Sequence, residues 1–170
     1  MRIGIGYDVH PLAEGRDLFL GGVKIPHSTG LLGHSDGDVL IHAICDAILG
    51  ALSEEDIGFH FPDFKEETKG IESGRILERV AKIMEERRFS VENIDAVIKA
   101  EEPIISPFKP LIRQNIARIL KVEEGRVSIK GKRTEGLGYV GQKKAIEAYA
   151  VVLLREEKDG KGEVCAESDG

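Results

Sequence analysis

The chain predicts an α+β fold, a mixed four-stranded sheet with helices packed on one face, plus a small N-terminal hairpin. Three observations carry that expectation. Arg2 to His10 alternates Ile3, Ile5, Tyr7 and Val9 against Gly4, Gly6, Asp8 and His10, the period of a strand. Ile71 to Arg88 repeats Ile76, Leu77, Val80, Ala81 and Met84 at helical spacing. The segments run strand, hairpin, helix, helix, strand, helix, strand, strand, which layers helices against a sheet. A sheet covered on one face needs a partner for the other, so self-association is expected.

Taken in order, the first strand sends Asp8 and His10 to one face, and Gly4 and Gly6 leave that face open to close approach. Leu18-Phe19-Leu20 and Val23-Lys24-Ile25 flank Gly21-Gly22, a hairpin signal. Pro26 to Gly33 reads as a loop. Ser35-Asp36-Gly37 has turn chemistry, and Ser35, Asp36 or Asp38 suits the cap of a helix over about Asp38 to Ala51. Ser53 to Lys69 carries no period and is long for a structureless connection, which marks a binding loop. A second helix covers Ile71 to Arg88. Val91 to Ala100 alternates as a strand, Glu101 to Ser106 is a loop, and Pro107 suits the first position of a helix reaching Leu120. Val127 to Lys132 alternates again, and Thr134 to Gly141 is a glycine-rich turn. Ala145 to Arg155 fits a helix through Ile146, Tyr149, Ala150 and Leu153, or a central strand through its Val-Val-Leu-Leu block; the strand is the reading taken. Lys158 to Gly170 is charged and expected to be disordered, leaving 1–157 as one domain.

The 170 residues carry a formal net charge of -6, which argues against a general nucleic-acid binder while leaving room for a local basic patch on a phosphorylated ligand. No apolar run approaches the roughly 20 residues that span a bilayer. Met1-Arg2-Ile3 enters a strand-like pattern at once, read as the absence of a signal peptide. Cys45 and Cys165 form neither a disulfide framework nor a zinc knuckle. The expectation is a reduced, cytoplasmic protein with no nucleic-acid or membrane partner.

The densest chemistry lies in His34 to Asp46. His42 and Asp46, four residues apart, share a helix face. Asp8, His10 and His42 together suit Zn²⁺, with a fourth tetrahedral position left for substrate or water. The same residues also suit a strand end bonded to loop backbone and a satisfied helix histidine; spacing alone does not separate the two. Asp46 is either a partner for a ligating imidazole or a surface carboxylate. Gly4-Ile5-Gly6 fails the dinucleotide fingerprint, because position 9 is Val and no helix follows. Lys130 to Glu135 sets Lys132, Arg133 and Thr134 for phosphate oxygens and Glu135 for a hard cation such as Mg²⁺. Taken alone, that segment equally describes a solvated strand end.

Several stretches together resemble the 2-C-methyl-D-erythritol 2,4-cyclodiphosphate synthases, a family of the non-mevalonate route to isoprenoids. They are Arg2 to His10, Gly21 to Pro26, Gly30 to Gly50 with its His-Ser-Asp-Gly-Asp-Val, Asp56-Ile-Gly58, Phe61-Pro-Asp63 and Thr134 to Gly138, in family order. The resemblance implies a homotrimer with active sites between subunits. It implies conversion of 4-diphosphocytidyl-2-C-methyl-D-erythritol 2-phosphate to the 2,4-cyclodiphosphate with loss of CMP, a lyase reaction. By position, Asp8, His10 and His42 would bind one Zn²⁺ per site, and Glu135 a second cation, Mg²⁺ or Mn²⁺. Catalytic contacts would come from His34 and Arg133. Substrate would meet Asp8, His10, His34, Ser35 and Asp46, then Asp56, Ile57 and Gly58 at the ribose, and Phe61, Pro62, Asp63, Phe64 and Lys65. The neighbouring subunit's Ala100 to Ser106 loop, with Pro103, Ile104 and Ile105, would take cytosine, and Lys132, Arg133, Thr134 and Glu135 the diphosphate. Lys132 and Arg133 depart from the family's usual threonines, Ile104 from a frequent lysine, and Gln142 from an arginine that meets an isoprenoid diphosphate on the trimer axis in some members.

Overall fold

The computed structural model describes residues 1–62 and 70–157. The expectations for Asp63, Phe64, Lys65 and the 158–170 tail lie outside those residues.

Among the described residues, seven strands and five α-helices follow in chain order. They are β1 (Arg2–Glu14), β2 (Leu18–Leu20), β3 (Val23–Ile25), β4 (Thr29–Leu31), α1 (Val39–Ala51), α2 (Ile57–His60) and α3 (Ser73–Glu86). Then come β5 (Phe89–Lys99), α4 (Lys109–Leu120), β6 (Val127–Lys132), α5 (Gly138–Gly141) and β7 (Ala145–Glu156). β2 and β3 form the expected hairpin. The main sheet has the order β4-β1-β7-β5-β6, mixed because β5 and β6 run parallel while the other pairs are antiparallel.

The four expected strands are all present, and β4 extends the sheet to five by pairing Leu12 with Leu31 and Ala13 with Gly30. Three residues are too few for a period to show. Gly30, at their centre, lies so close to the Asp17 carbonyl that an added Cβ would stand 2.2 Å from its oxygen. Two other stretches expected without helix each hold a single turn, α2 and α5. The ambiguous segment 145–156 is a strand inserted between β1 and β5, with Ile146, Ala148, Ala150, Val152 and Leu154 fully buried.

Helix α1 lies across β1 and β7 and is buried nearly all round. Leu40, Ile41, Ile44, Ile48 and Leu49 are inaccessible; each such side chain contributes roughly 1.5–3 kcal/mol on burial. The helix lies unusually close to the sheet because β1 offers no side chains beneath it. A Cβ on Gly4 would meet the Ala47 carbonyl oxygen at 1.9 Å, and one on Gly6 the Ala43 oxygen at 1.9 Å. The open glycine face expected for a ligand or a backbone therefore receives a helix backbone. That contact brings His42, one residue before Ala43, over Asp8 and His10.

The opposite face of β1 and β7 has no cover among the described residues. Ile3 and Ile5 are 71% and 70% exposed, and Tyr7, Val9, Tyr149 and Val151 continue the patch. Contiguous exposed apolar surface of this kind marks an interaction face.

Candidate metal centre and substrate cleft

The loop before α1 is built around Asp38. Fully buried, its carboxylate accepts from Leu40 N and Ile41 N at 3.1 Å, capping the helix. It also accepts from Gly21 N at 2.9 Å and Gly22 N at 2.6 Å, so the β2–β3 turn is fastened to the same point. Of the three caps the sequence allowed, this one is used.

Asp8 and His10 leave the same face of β1, and His42 comes down from the first turn of α1. The Asp8 Oδ2 lies 2.9 Å from His42 Nδ1 and 3.1 Å from His10 Nε2, and the two imidazole nitrogens are 3.4 Å apart. Tetrahedral bonds of about 2.0 Å hold donors roughly 3.3 Å apart. Three donors at that separation, one carboxylate and two imidazoles, fit a Zn²⁺-like cation and leave one position open. His10 is oriented as such a centre needs. Its Nδ1 lies 2.8 Å from the Leu32 carbonyl oxygen, an acceptor only, so Nδ1 carries a proton and Nε2 is the nitrogen turned to the cation position. Burial alone would raise the Asp8 carboxyl, but hydrogen bonds and charges from His10 and His42 outweigh it and hold the group well below the ordinary carboxylate range.

A cleft of about 210 Å³ opens beside this triad. His34, Ser35, Asp46, Ile57, Gly58 and Phe61 line it, so with Asp8 and His10 part of the expected substrate set converges. Asp46 takes a different partner from the one expected: its Oδ1 accepts from Ile57 N at 2.8 Å and fixes the start of α2. Burial raises its carboxyl above the ordinary value, with the Ile57 N–H pulling the other way. Asp56 caps the same short helix through Phe59 N at 3.0 Å. The sequence held no periodic signal for Ser73, whose hydroxyl lies 3.0 Å from His42 Nε2 across 31 positions.

The remaining expected residues lie elsewhere on the same end of the sheet. Ala100 to Ser106 and Lys132 to Glu135 follow the parallel strands β5 and β6, tied by Ala100 N to Lys132 O at 3.0 Å. Glu101, nearly buried, organises them. It accepts from Arg133 Nε at 3.1 Å, Arg133 Nη2 at 2.7 Å and Thr134 N at 3.1 Å. The Arg133 guanidinium, first among these, lowers the Glu101 carboxyl. Arg133 is thus held by its own chain at a carboxylate that the sequence reading had not singled out. Glu135 is exposed, its φ of 52° in the left-handed region, in a turn completed by Gly136 at 80°. From β1 to β6 is three strand spacings, about 14 Å, so this group does not close over the triad of the same chain.

Fold and site together define an α+β protein with a carboxylate and bis-imidazole candidate cation centre at the end of its sheet, opening on a cleft of mixed polar and apolar lining. The chain belongs to the YgbB family, whose model matches residues 1–155. It is 53% identical over 156 residues to the 2-C-methyl-D-erythritol 2,4-cyclodiphosphate synthase of Syntrophomonas wolfei, covering 92% of this chain and 99% of that one. The enzyme of that name from Caldicellulosiruptor bescii is 54% identical over 155 residues, with 91% and 99% covered. Among solved structures, a CDP-bound 2C-methyl-D-erythritol-2,4-cyclodiphosphate synthase superposes with a TM-score of 0.84 at 35% identity, covering 91% of this chain and all 100% of that one. The Plasmodium falciparum IspF–CDP complex gives 0.81 at 39% identity, with 92% and 97% covered.

Proposed function

We propose that the chain converts 4-diphosphocytidyl-2-C-methyl-D-erythritol 2-phosphate to 2-C-methyl-D-erythritol 2,4-cyclodiphosphate and CMP. The observation that carries this is the Asp8–His10–His42 donor set facing a cleft, in a chain of the YgbB family. In the reaction a 2-phosphate oxygen attacks the β-phosphorus, the bond from that phosphorus to the oxygen bridging to the α-phosphate breaks, and CMP departs with the electron pair. The nucleophile is already an anion, so no side chain need deprotonate it. What the protein must supply is alignment and charge neutralisation for two repelling phosphates.

Asp8, His10 and His42 would hold Zn²⁺, and Glu135 a second Mg²⁺ or Mn²⁺; when bound, these supply Lewis-acid charge neutralisation. His34, exposed on the loop above the cleft, contacts the transferring phosphoryl group. Ser35 and Asp46 would meet the methylerythritol portion, Asp56, Ile57 and Gly58 the ribose, and Phe61, Pro62, Asp63, Phe64 and Lys65 would line the substrate. Ala100 to Ser106 takes cytosine, while Lys132, Arg133 and Thr134 face the diphosphate. Glu101 engages two of the five guanidinium N–H groups of Arg133, which among the described residues leaves the others for phosphate.

The homotrimer belongs to this reading. Two observations support it: the uncovered apolar face of β1 and β7, and the separation that keeps the base-side loops of one chain away from its own triad. The catalytic domain is taken as residues 1–157. A cytoplasmic location is part of the proposal, supported by the free, fully buried thiol of Cys45.

Phosphorus NMR of the products is the test. A ring diphosphate together with CMP is expected. Linear phosphate products would reveal attack by water and replace cyclisation with hydrolysis.

A further inference from the structure

His42 faces the centre through Nδ1, so it donates to a cation only when the ring proton sits on Nε2. A neutral imidazole carries its proton on either nitrogen, and nothing in the ring itself decides. Around Nε2 stand two hydroxyls, Ser35 Oγ at 3.1 Å and Ser73 Oγ at 3.0 Å. Without a cation, Nδ1 shares a proton with the Asp8 carboxylate at 2.9 Å; a cation takes that place, and the two hydroxyls, each able to donate or accept, leave the Nε2 side open.

Asp36 closes it. Its Oδ1 accepts the Ser73 hydroxyl, and its Oδ2 accepts Ser73 N at 2.9 Å. An ionised carboxylate only accepts, so the single hydroxyl proton of Ser73 is committed to Asp36. The Ser73 oxygen then offers Nε2 nothing but lone pairs, and Nε2–H donates to it. Ser73 is fully buried, with Ser35 and His42 nearly so, which keeps bulk water from replacing these partners. The carboxylate is itself well anchored. Glu72, the cap residue of α3, makes no side-chain cap bond, and Asp36 serves that helix start instead. It also accepts from Asp38 N at 3.2 Å.

We propose that Asp36 and Ser73 are positioning residues that hold the Nε2–H of His42 and so aim Nδ1 at the cation. His10 receives the same service from the Leu32 carbonyl, but through backbone that no substitution removes. The proposal rests on the metal-centre reading above.

Two variants test it. Ser73→Ala deletes the hydroxyl while keeping the backbone N–H on Asp36, so the helix start is spared. Asp36→Asn keeps the shape, but its amide NH₂ donates to Ser73 Oγ and turns the hydroxyl proton toward Nε2. Zn²⁺ affinity, measured by competition with a chromophoric chelator, is expected to fall roughly 10–100-fold in each. Proton–nitrogen NMR on the zinc-loaded protein labelled at histidine reads the His42 Nε2–H directly. Its exchange with water is expected to be slow in the unaltered chain and faster in both variants. Unchanged affinity in both variants, or an Nε2–H that exchanges as fast in the unaltered chain as in Ser73→Ala, overturns the proposal. An unaltered chain that binds no Zn²⁺ overturns the metal-centre reading, whereas zinc binding that the variants leave unchanged overturns the proposal alone.

Discussion

The two ends of the proposed active site are built in opposite ways. Around the triad, Asp38, Ser73 and Ser35 are buried, and each is bonded to more than one neighbour before any ligand arrives. On the β5–β6 side, Lys132, Arg133 and Glu135 are exposed, and a single carboxylate, Glu101, holds the turn together. The first arrangement suits a cation, whose ligands must stand at fixed separations before it binds. The second suits a flexible, highly charged ligand such as a diphosphate. Rigidity is concentrated where the geometric tolerance is smallest.

Substitutions that strike one end and spare the other break or sharpen this contrast. The largest effect is expected from His42→Ala, which removes a donor from the saturated end. Metal analysis should find the chain without zinc and turnover should be almost absent, while sedimentation still shows the assembled oligomer. A variant with normal zinc content and rate would remove the triad from the mechanism.

Gly6→Ala probes the same end through packing alone. Its methyl would press on the Ala43 carbonyl oxygen at 1.9 Å, so α1 must move away from β1. A loss of about 3 kcal/mol in urea unfolding is expected, together with weaker zinc binding, because His42 travels with the helix. Stability equal to the parent chain would mean that the close approach is not required.

Glu135→Gln addresses the exposed end. Zinc content and folding should stay as they are, and the rate should rise less steeply with added Mg²⁺ or Mn²⁺. An identical metal titration would count against a cation at that turn.

The smallest effect concerns pH and Glu101. Its carboxyl is lowered in the folded chain, chiefly by Arg133, so its stabilising contribution is present above the unfolded carboxylate pKa of about 4.3 and is lost as pH falls through the folded value. Chemical denaturation of the parent and of Glu101→Gln should therefore differ at neutral pH and converge on acidification. A difference that persists undiminished in acid would show that the pair is not the source.

Much of the fold was legible because its signals are local. The alternation of β1, the Gly21–Gly22 turn and the helical spacing of α3 each involve residues within a few positions of one another. β4 escaped because it is three residues long, and β7 was ambiguous because a strand buried on one face and covered by neighbours on both edges resembles a helix in composition. In the site, the ligand triad was nameable from Asp8-Val-His10 and the helical His42. Its partners were not: Asp46, one turn along the same helix, was the natural candidate, but its side chain is taken by Ile57 N.

By itself, the sequence determined the residue types available to chemistry, the periods of the main elements, and glycines at the two positions where a helix backbone must touch the sheet. These follow from short-range sterics and side-chain chemistry, which a linear pattern records. The tertiary structure alone decided which nitrogen of each imidazole faces the cation, that Arg133 lies on Glu101, and that the two halves of the site are three strands apart. Those outcomes depend on contacts such as Ser73 with His42 and Arg133 with Glu101, between residues about thirty positions apart, and they exist only once the core has closed and excluded water.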